Sequence, residues 1–564
     1  MGRHLCGGSA PLIHLLEPAA RRAWPHLKWR DESASRRLHQ LPQLPLVSLI
    51  AGPLWRIPSL RGASCACCEP DPHCVNRTVS TALQRTARFA ISFRHAMSET
   101  AALPRKTFFN RVALPVFSWG LPFHSLMVAV LFGGLGLSAG LVRGLAAWKE
   151  IAVLGLIALV ILRSATGRGP RTAISWIDIA VGSMLTIAFA FLIGGRALLQ
   201  IDLPSGTELY GIRDIAFFFL LYFIGRASPE IADDPQTLRR LYIVALLSSS
   251  IAIVEWLLVT PDMLVLLGVA AYFQDFLNVA AFTAGNEFGL PMNYWTRIGD
   301  VEMQRAGSIY LSSQGFAVPF IILLPAATAY AFGAAKRLTF STKIEYAIIW
   351  AGLLLSITRM TILVCGIQLV LVILMLKKPE WAVAGLIVGA LAVVVSMIVV
   401  PGLPGFIWDT LTWQTGSSAS HTKDWSKGFT AFFDTPWGSG LGTTDQSAVR
   451  FGLKPLTADS GYFKYAVELG IQGLIALLAI FGGILATSFK VARRASTQSR
   501  RLLGTVVLFT TVGVLLNATT GVVFNALVLS YLYFWFAGAI VTVAQQEFAG
   551  AGRATEPALE LSTA

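Results

Sequence analysis

From Phe123 to Ala544 the chain is a succession of apolar stretches separated by short polar breaks. A transmembrane helix needs about 20 predominantly apolar residues. Such stretches recur at roughly 123–142, 146–163, 175–195, 212–226, 239–259, 315–335, 344–358, 360–376, 381–400, 460–489, 502–519 and 524–544. Lipid offers the backbone no hydrogen-bond partner, so only helices and closed barrels cross it. Barrel strands would show alternation in segments of about 10 residues, a pattern this chain lacks. The expected fold is therefore all-α: a polytopic integral membrane protein with about twelve transmembrane helices. The composition agrees, with 13% charged residues against about 25% in soluble domains. No fixed-period repeat is visible, nor are the paired halves of many transporters.

The formal net charge of +14 is concentrated near the start, where residues 1–96 hold 13 Arg and Lys against 5 Asp and Glu. That segment is basic, rich in Cys and Pro and without a period. It is expected to be disordered or to precede the natural start, since Met97 opens a more ordinary sequence. PLVSLIAG (45–52) is too short to span, and its position does not suit a secretory signal. The cluster CACCEPDPHC, with His73, fits no common zinc spacing. Residues 97–548 form the membrane domain and 549–564 a cytoplasmic tail. Within the domain every second loop is basic: Arg163, Arg168 and Arg171; Arg226, Arg239 and Arg240; Lys336, Arg337 and Lys343; Lys377 and Lys378; Lys490 to Arg501. Cytoplasmic loops collect Lys and Arg, so both termini are expected inside. The long loops 260–314 and 401–459 then face outward, which in a bacterium is the periplasm. A modestly basic membrane protein needs no nucleic acid partner.

Loop 401–459 carries most of the chemistry. Long loops are usually functional or disordered, and this one is too aromatic for disorder. His421 is a candidate general base, because imidazole titrates near neutral pH; Asp459, followed by Tyr462, is the other. A lone loop histidine is also often a plain surface residue. Arg213, Arg297, Arg305, Arg359 and Arg450 lie on the outer side, where the charge rule disfavours them. Arginine's planar, permanently charged fork suits phosphate oxygens. The plainer reading has each one snorkelling or paired with Asp202, Asp214 or Asp300. Asp300 and Glu302 have a spacing able to hold a divalent cation on a diphosphate, but such a pair is more often a solvated loop or the partner of Arg305. Trp408, Trp413, Trp425, Trp437, Tyr294 and Trp295 suit sugar stacking or interface anchoring, with Trp408 and Trp413 the better anchors. The glycines of DTPWGSGLGTT are expected to shape a tight turn at the outer surface.

Taken in order, these landmarks resemble the superfamily of O-antigen ligases and Wzy-type polysaccharide polymerases. GIRD resembles its Gly-Leu-Arg signature and places Arg213. RAGSIYLSSQGFA places Arg305, and LLLSITRMTIL places Arg359. WSKGFTAFFDTPWGSGLGT resembles the family's Trp, Phe, Pro and Gly-x-Gly-Leu-Gly loop, and DSGYFKYAVELGIQGLIAL its following helix. The resemblance spans about residues 115–545 by layout. It implies a glycosyltransferase of the bacterial inner membrane with its site toward the periplasm. An undecaprenyl-diphosphate-linked glycan is passed to an acceptor hydroxyl with inversion at the anomeric carbon. Arg213, Arg305, Arg359 and Arg450 would hold the leaving diphosphate, which is the electrostatic stabilisation such a transfer needs most. His421 or Asp459 would take the proton, and Trp425, Trp437 and Tyr462 would line the glycan. No metal or other cofactor is implied. Membrane lipids, a chain-length regulator and polysaccharide export proteins are the expected partners. Ligases of this family often carry His and Asn where this chain has Asp459 and Ser460, which favours a polymerase making exopolysaccharide, capsule or O-antigen. The alternatives are a ligase acting on lipid A-core or protein, and a lipid-linked glycan flippase or transporter. A transporter would use ionisable residues within the spans, for which Asp178, Lys149, Glu150 and Glu255 are the candidates.

Overall fold

A computed structural model describes residues 107–548 except 171, 200–202, 280–286, 299–300, 334–337, 400–401, 413, 415 and 458–459. The expectations for residues 1–96, for the tail 549–564, and for Asp202, Asp300, Trp413 and Asp459 lie outside the described residues. The protein is an all-α polytopic membrane protein. Each expected span has a helix: α1 (Phe109–Gly134), α2 (Ala139–Ala165), α3 (Trp176–Leu199), then a short α4 (Thr207–Ile215) leading into α5 (Phe217–Arg226), and α6 (Pro235–Leu258). After the first long loop come α7 (Ser313–Gly333), α8 (Phe340–Leu355), α9 (Arg359–Met375) and α10 (Pro379–Val399). The second long loop contains α11 (Leu403–Leu411), α12 (Gly416–Asp434) and α13 (Asp445–Arg450). The bundle ends with α14 (Gly461–Arg494), α15 (Gln498–Asn517) and α16 (Leu527–Phe548). Among the described residues, nine helices are long and apolar enough to cross a membrane, while α5, α8 and α9 are shorter.

The ends follow local chemistry. Asp234 caps α6 by accepting from the Gln236 N–H at 3.0 Å, with Pro235 in the first turn, and Thr497 caps α15 at 3.3 Å. The first helix departs from expectation, running 109–134 rather than 123–142. Arg111, Ser118, Pro122 and His124 dilute its hydropathy, yet Asn110, Ser118 and His124 are buried against protein. Gly136, in left-handed conformation, then separates it from α2.

The bundle is built around α16 and α7, whose apolar windows are 89% and 83% buried, whereas α10 is 6% buried and offers its surface outward. α16 crosses α5 at backbone contact. A Cβ on Gly225 would lie 2.0 Å from the Trp535 carbonyl oxygen, and one on Gly538 equally close to that of Tyr222. Contacts tie the basic loops to one face. Arg226 reaches Asp178 at the start of α3 and Gln545 at the end of α16, and Arg500 reaches Asp233 and Glu547. The two long loops emerge at the other end of the same helices.

Loop 260–314 is folded down onto α6. It holds an antiparallel hairpin, β1 (Trp295–Ile298) and β2 (Val301–Gln304), with Arg297 opposite Glu302. Buried Tyr294 donates to the Glu255 carboxylate of α6, which also accepts the backbone N–H groups of Gly307 and Ser308. Glu255 therefore holds the turn after Arg305, and Tyr294 is closed to a sugar ring, contrary to the stacking role considered for it. The remaining transporter candidates also have partners: Lys149 pairs with Glu150 at 2.9 Å and Asp178 with Arg226 at 2.9 Å.

Candidate active site

Three distant segments meet where α14 kinks. Gly470 is in left-handed conformation (φ 74), and a Cβ there would lie 2.4 Å from the backbone of Trp437. The loop 436–444 is threaded through this break. Its Ser439 and Gly440 N–H groups donate to the carbonyls of Val467 and Glu468, and Pro436 accepts from Ile471. Glu468, fully buried, draws the loop in further, accepting from Gly442 N at 2.8 Å, Thr444 N at 3.3 Å and the Thr444 hydroxyl. On its other side the loop meets α4, where a Cβ on Gly211 would stand 2.5 Å from Gly442 N. The glycine-rich turn is thus buried at the junction of α4 and α14, not laid on the outer surface. Only residues without Cβ permit so close a backbone approach.

Next to this contact, Arg213 of α4 and Arg450 of α13 share a ring. Their Cζ atoms lie 4.0 and 4.3 Å from the centroid of Tyr210, within cation–π range. Arg213 also forks onto Asp214, at 3.2 and 3.0 Å, and keeps 40% of its side-chain surface open. Arg450 donates to the Leu277 carbonyl at 2.7 Å, while its own carbonyl accepts from Asn278 at 2.8 Å. Burial works against ionisation of Asp214, but Arg213 and Lys464 hold its carboxyl below the usual range. Burial, then Asp214, pushes the Tyr210 phenol up to about 12, so it stays neutral.

Arg305 and Arg359 form a second pair. Arg305 donates to the Ser356 carbonyl at 2.8 Å and the Thr358 hydroxyl at 2.9 Å, which sets it against the turn that opens α9 with Arg359. Burial and the neighbouring Arg359 both lower its proton affinity below the usual guanidinium value. Arg359 lies 4.9 Å from the ring of Phe406 in α11. Backbone strain gathers at these same turns. Asn278, Ser308, Ile357 and Asp445 have positive φ, and each adjoins or bonds an arginine-bearing segment. For β-branched Ile357, at φ 48, this is a costly conformation that only surrounding structure can hold.

The end of α15 anchors α12 and the start of α14. Carbonyls of a last helical turn have no intrahelical partner. Here Leu515 accepts from the Tyr462 hydroxyl at 2.6 Å, Ala518 from Gly461 N at 2.9 Å, and Thr519 from the Trp425 indole at 2.9 Å. Asn517 accepts from Thr361, half a turn beyond Arg359, at 3.1 Å. α12 packs on α14 through Gly428 and Phe463. Its half-buried His421 precedes Trp425 by four residues, on the same face. Exposed Trp437 borders a cleft of about 490 Å³, lined also by Leu203, Asp434, Thr443, Lys454 and Leu456.

Residues 346–478, from α8 to just past the kink of α14, match the family model described as O-antigen ligase. The match covers less than half of the chain, and it is this stretch that is similar to the O-antigen ligase family. A search of curated proteins finds no match. The matched segment contains Arg359, His421, the glycine-rich loop, Arg450 and Glu468, while Arg213 and Arg305 are brought to it by α4 and by the first long loop. Members of the O-antigen ligase family are membrane glycosyltransferase-like enzymes, ligases or polymerases.

Of the residues singled out from sequence, Arg213 joins Arg450 and Arg305 joins Arg359. Tyr462 and Trp425 commit their polar atoms to α15, and Trp437 keeps an open ring. Glu302 faces Arg297 across the hairpin and Asp300 is not described. Among the described residues no acidic, His or Cys cluster has a metal-holding arrangement. Sequence reasoning missed Tyr210 and Lys464. Tyr210 lies three residues before Arg213, a spacing that places side chains on one helix face. Lys464 is a cation at the head of an apolar helix, a position where charge is costly and rarely idle.

Proposed function

We propose that this protein is a polysaccharide polymerase related to the O-antigen ligases, seated in the bacterial inner membrane with its site on the periplasmic face. It transfers an undecaprenyl-diphosphate-linked glycan to a hydroxyl of another lipid-linked repeat unit. One observation carries the reading. Four arginines come together as two pairs at the end of the bundle away from the basic loops, and among the described residues neither Arg305 nor Arg450 has a carboxylate partner. Charge held by neutral groups remains available to an anion that brings charge of its own.

The acceptor oxygen bonds to the anomeric carbon as the carbon–oxygen bond to the diphosphate breaks. The electron pair leaves with the diphosphate, where the arginines stabilise it, and the acceptor proton passes to His421 or Asp459. Carbon is attacked opposite the leaving group, so its configuration inverts. Purified protein in nanodiscs, given only lipid-linked repeat units, should yield a ladder of lengthening products. The similarity of residues 346–478 to O-antigen ligases favours a second reading, a ligase. In that case the same preparation would make no ladder, but would move glycan once onto an added lipid A-core acceptor.

A further inference from the structure

One short helix touches both members of the first arginine pair. α13 begins at Asp445 and ends at Arg450. At its start the Asp445 carboxylate accepts from Lys464 of α14 at 2.5 Å and from Ser447 N at 2.7 Å. Both side chains of this ion pair are buried, with 2% and 4% of their surface exposed. In the middle, the Ser447 hydroxyl donates to Asp214 at 3.0 Å, and Asp214 holds Arg213. At its end Arg450 stands over Tyr210 beside Arg213. A continuous path therefore runs from Lys464 through Asp445, Ser447 and Asp214 to Arg213, with Arg450 fixed by the same helix.

Two features indicate that this path sets orientation. Asp445 is in left-handed conformation, φ 48, which its bond from Ser447 N helps to hold and which turns its carboxylate toward Lys464. The ion pair is also an expensive way to fill space. Replacing a buried pair with apolar residues of similar volume is often neutral or stabilising, whereas removing one partner is strongly destabilising. Such pairs are best understood where direction matters more than stability.

We propose that Lys464 and Asp445 are positioning residues: their ion pair aims α13 so that Arg450 and Arg213 meet over Tyr210 in the geometry that receives a polyprenyl diphosphate. The proposal rests on the reading of these arginines as the diphosphate grip, and the test separates the two.

The full-length protein in nanodiscs is titrated with farnesyl diphosphate, with farnesyl monophosphate as control, and thermal unfolding is recorded in parallel. Arg213→Ala and Arg450→Ala should each weaken diphosphate binding. If the wild type does not bind, or both variants bind as the wild type does, the grip itself is refuted. The double variant Lys464→Met/Asp445→Asn removes both charges while keeping a residue that tolerates the left-handed backbone and an oxygen for Ser447 N. It is expected to unfold near the wild-type temperature yet bind farnesyl diphosphate about tenfold or more weakly, as misplacement by about an ångström can cost a hundredfold. A well-folded double variant with wild-type affinity, alongside weakened arginine variants, overturns the proposal and leaves the grip standing. Where the double variant does not purify as a single species, Ser447→Ala decides. It cuts the path at one hydroxyl, and a loss of about threefold or more supports the proposal while unchanged affinity overturns it.

Discussion

The two ends of this bundle use arginine in opposite ways. At the end of the basic loops, Arg226 is closed off on every side. It meets Asp178 at 2.9 Å, Thr542 at 2.7 Å, Gln545 at 3.0 Å and the Ala173 carbonyl at 2.9 Å. Arg500 is likewise divided between Asp233 and Glu547. At the other end, Arg305 is held by a carbonyl and a hydroxyl, and Arg450 by a carbonyl and a ring. The first arrangement neutralises charge and ties α3, α5 and α16 together. The second fixes position while leaving the charge in place. A carboxylate neutralises each closed-off cation, whereas Arg305 and Arg450 have none among the described residues; Arg213, which shares Asp214 and keeps 40% of its side chain open, stands between the two cases.

That difference can be broken most directly by matched deletions. Arg226→Ala leaves Asp178 without its cationic partner, though Tyr222 and Ser175 still donate to it, and should cost about 3 kcal/mol of stability, read as a lower unfolding temperature and a low yield of folded protein. Arg305→Ala strands no carboxylate among the described residues. It should unfold nearly as the wild type does, while the proposed glycan transfer falls about 10²–10³-fold. If Arg305→Ala keeps wild-type transfer, the contrast between the ends has no functional content.

A finer division lies among the glycines. Gly442 has φ 79, and a Cβ there would stand 2.7 Å from the Thr207 carbonyl oxygen. Gly442→Ala should therefore cost roughly 1–3 kcal/mol and loosen α4 from the glycine-rich loop. Gly482, in the membrane part of α14, has nothing within 4 Å of such a Cβ. Gly482→Ala should be neutral, or stabilising by about 0.5–1 kcal/mol. Chemical unfolding of both variants checks the pair, and equal effects would mean that the loop does not depend on its close backbone approach.

Much of this was legible in the residues. Each apolar stretch became a helix because lipid leaves the backbone no alternative, and the arginines stood out because they break the charge rule. What stayed hidden depends on partners far along the chain. Tyr294 looked like a sugar platform until Glu255, from α6, was seen to take its hydroxyl. The glycines of PWGSGLG announced a turn, but Gly211, more than two hundred residues earlier, determines that the turn is buried. The first helix was misjudged at both ends because His124 and Ser118 count as polar in a hydropathy window although protein, not lipid, surrounds them. Lys464 carries no local sign that Asp445 will neutralise it.

An effect confined to a narrow pH window concerns Glu468, which stands before the kink of α14, and it sharpens the comparison by asking how charge is balanced at the open end. Lys464 is matched by Asp445 and Arg213 by Asp214, so an ionised Glu468 would be a surplus buried anion. Burial pushes its carboxyl up to about 7, against the opposing pull of Lys464. Between its ordinary value of 4.5 and about 7, the folded protein keeps a proton that the unfolded chain has released. Stability supplied by that proton is complete below 4.5 and is lost as pH rises toward 7, with a slope of at most about 1.4 kcal/mol per pH unit. Glu468→Gln keeps a carbonyl for Gly442 or Thr444 but cannot ionise. It should flatten this part of the stability profile, measured as unfolding free energy at successive pH values. An unchanged slope would show that Glu468 is ionised throughout, and that the open end tolerates a buried negative charge as well as its uncompensated positive ones.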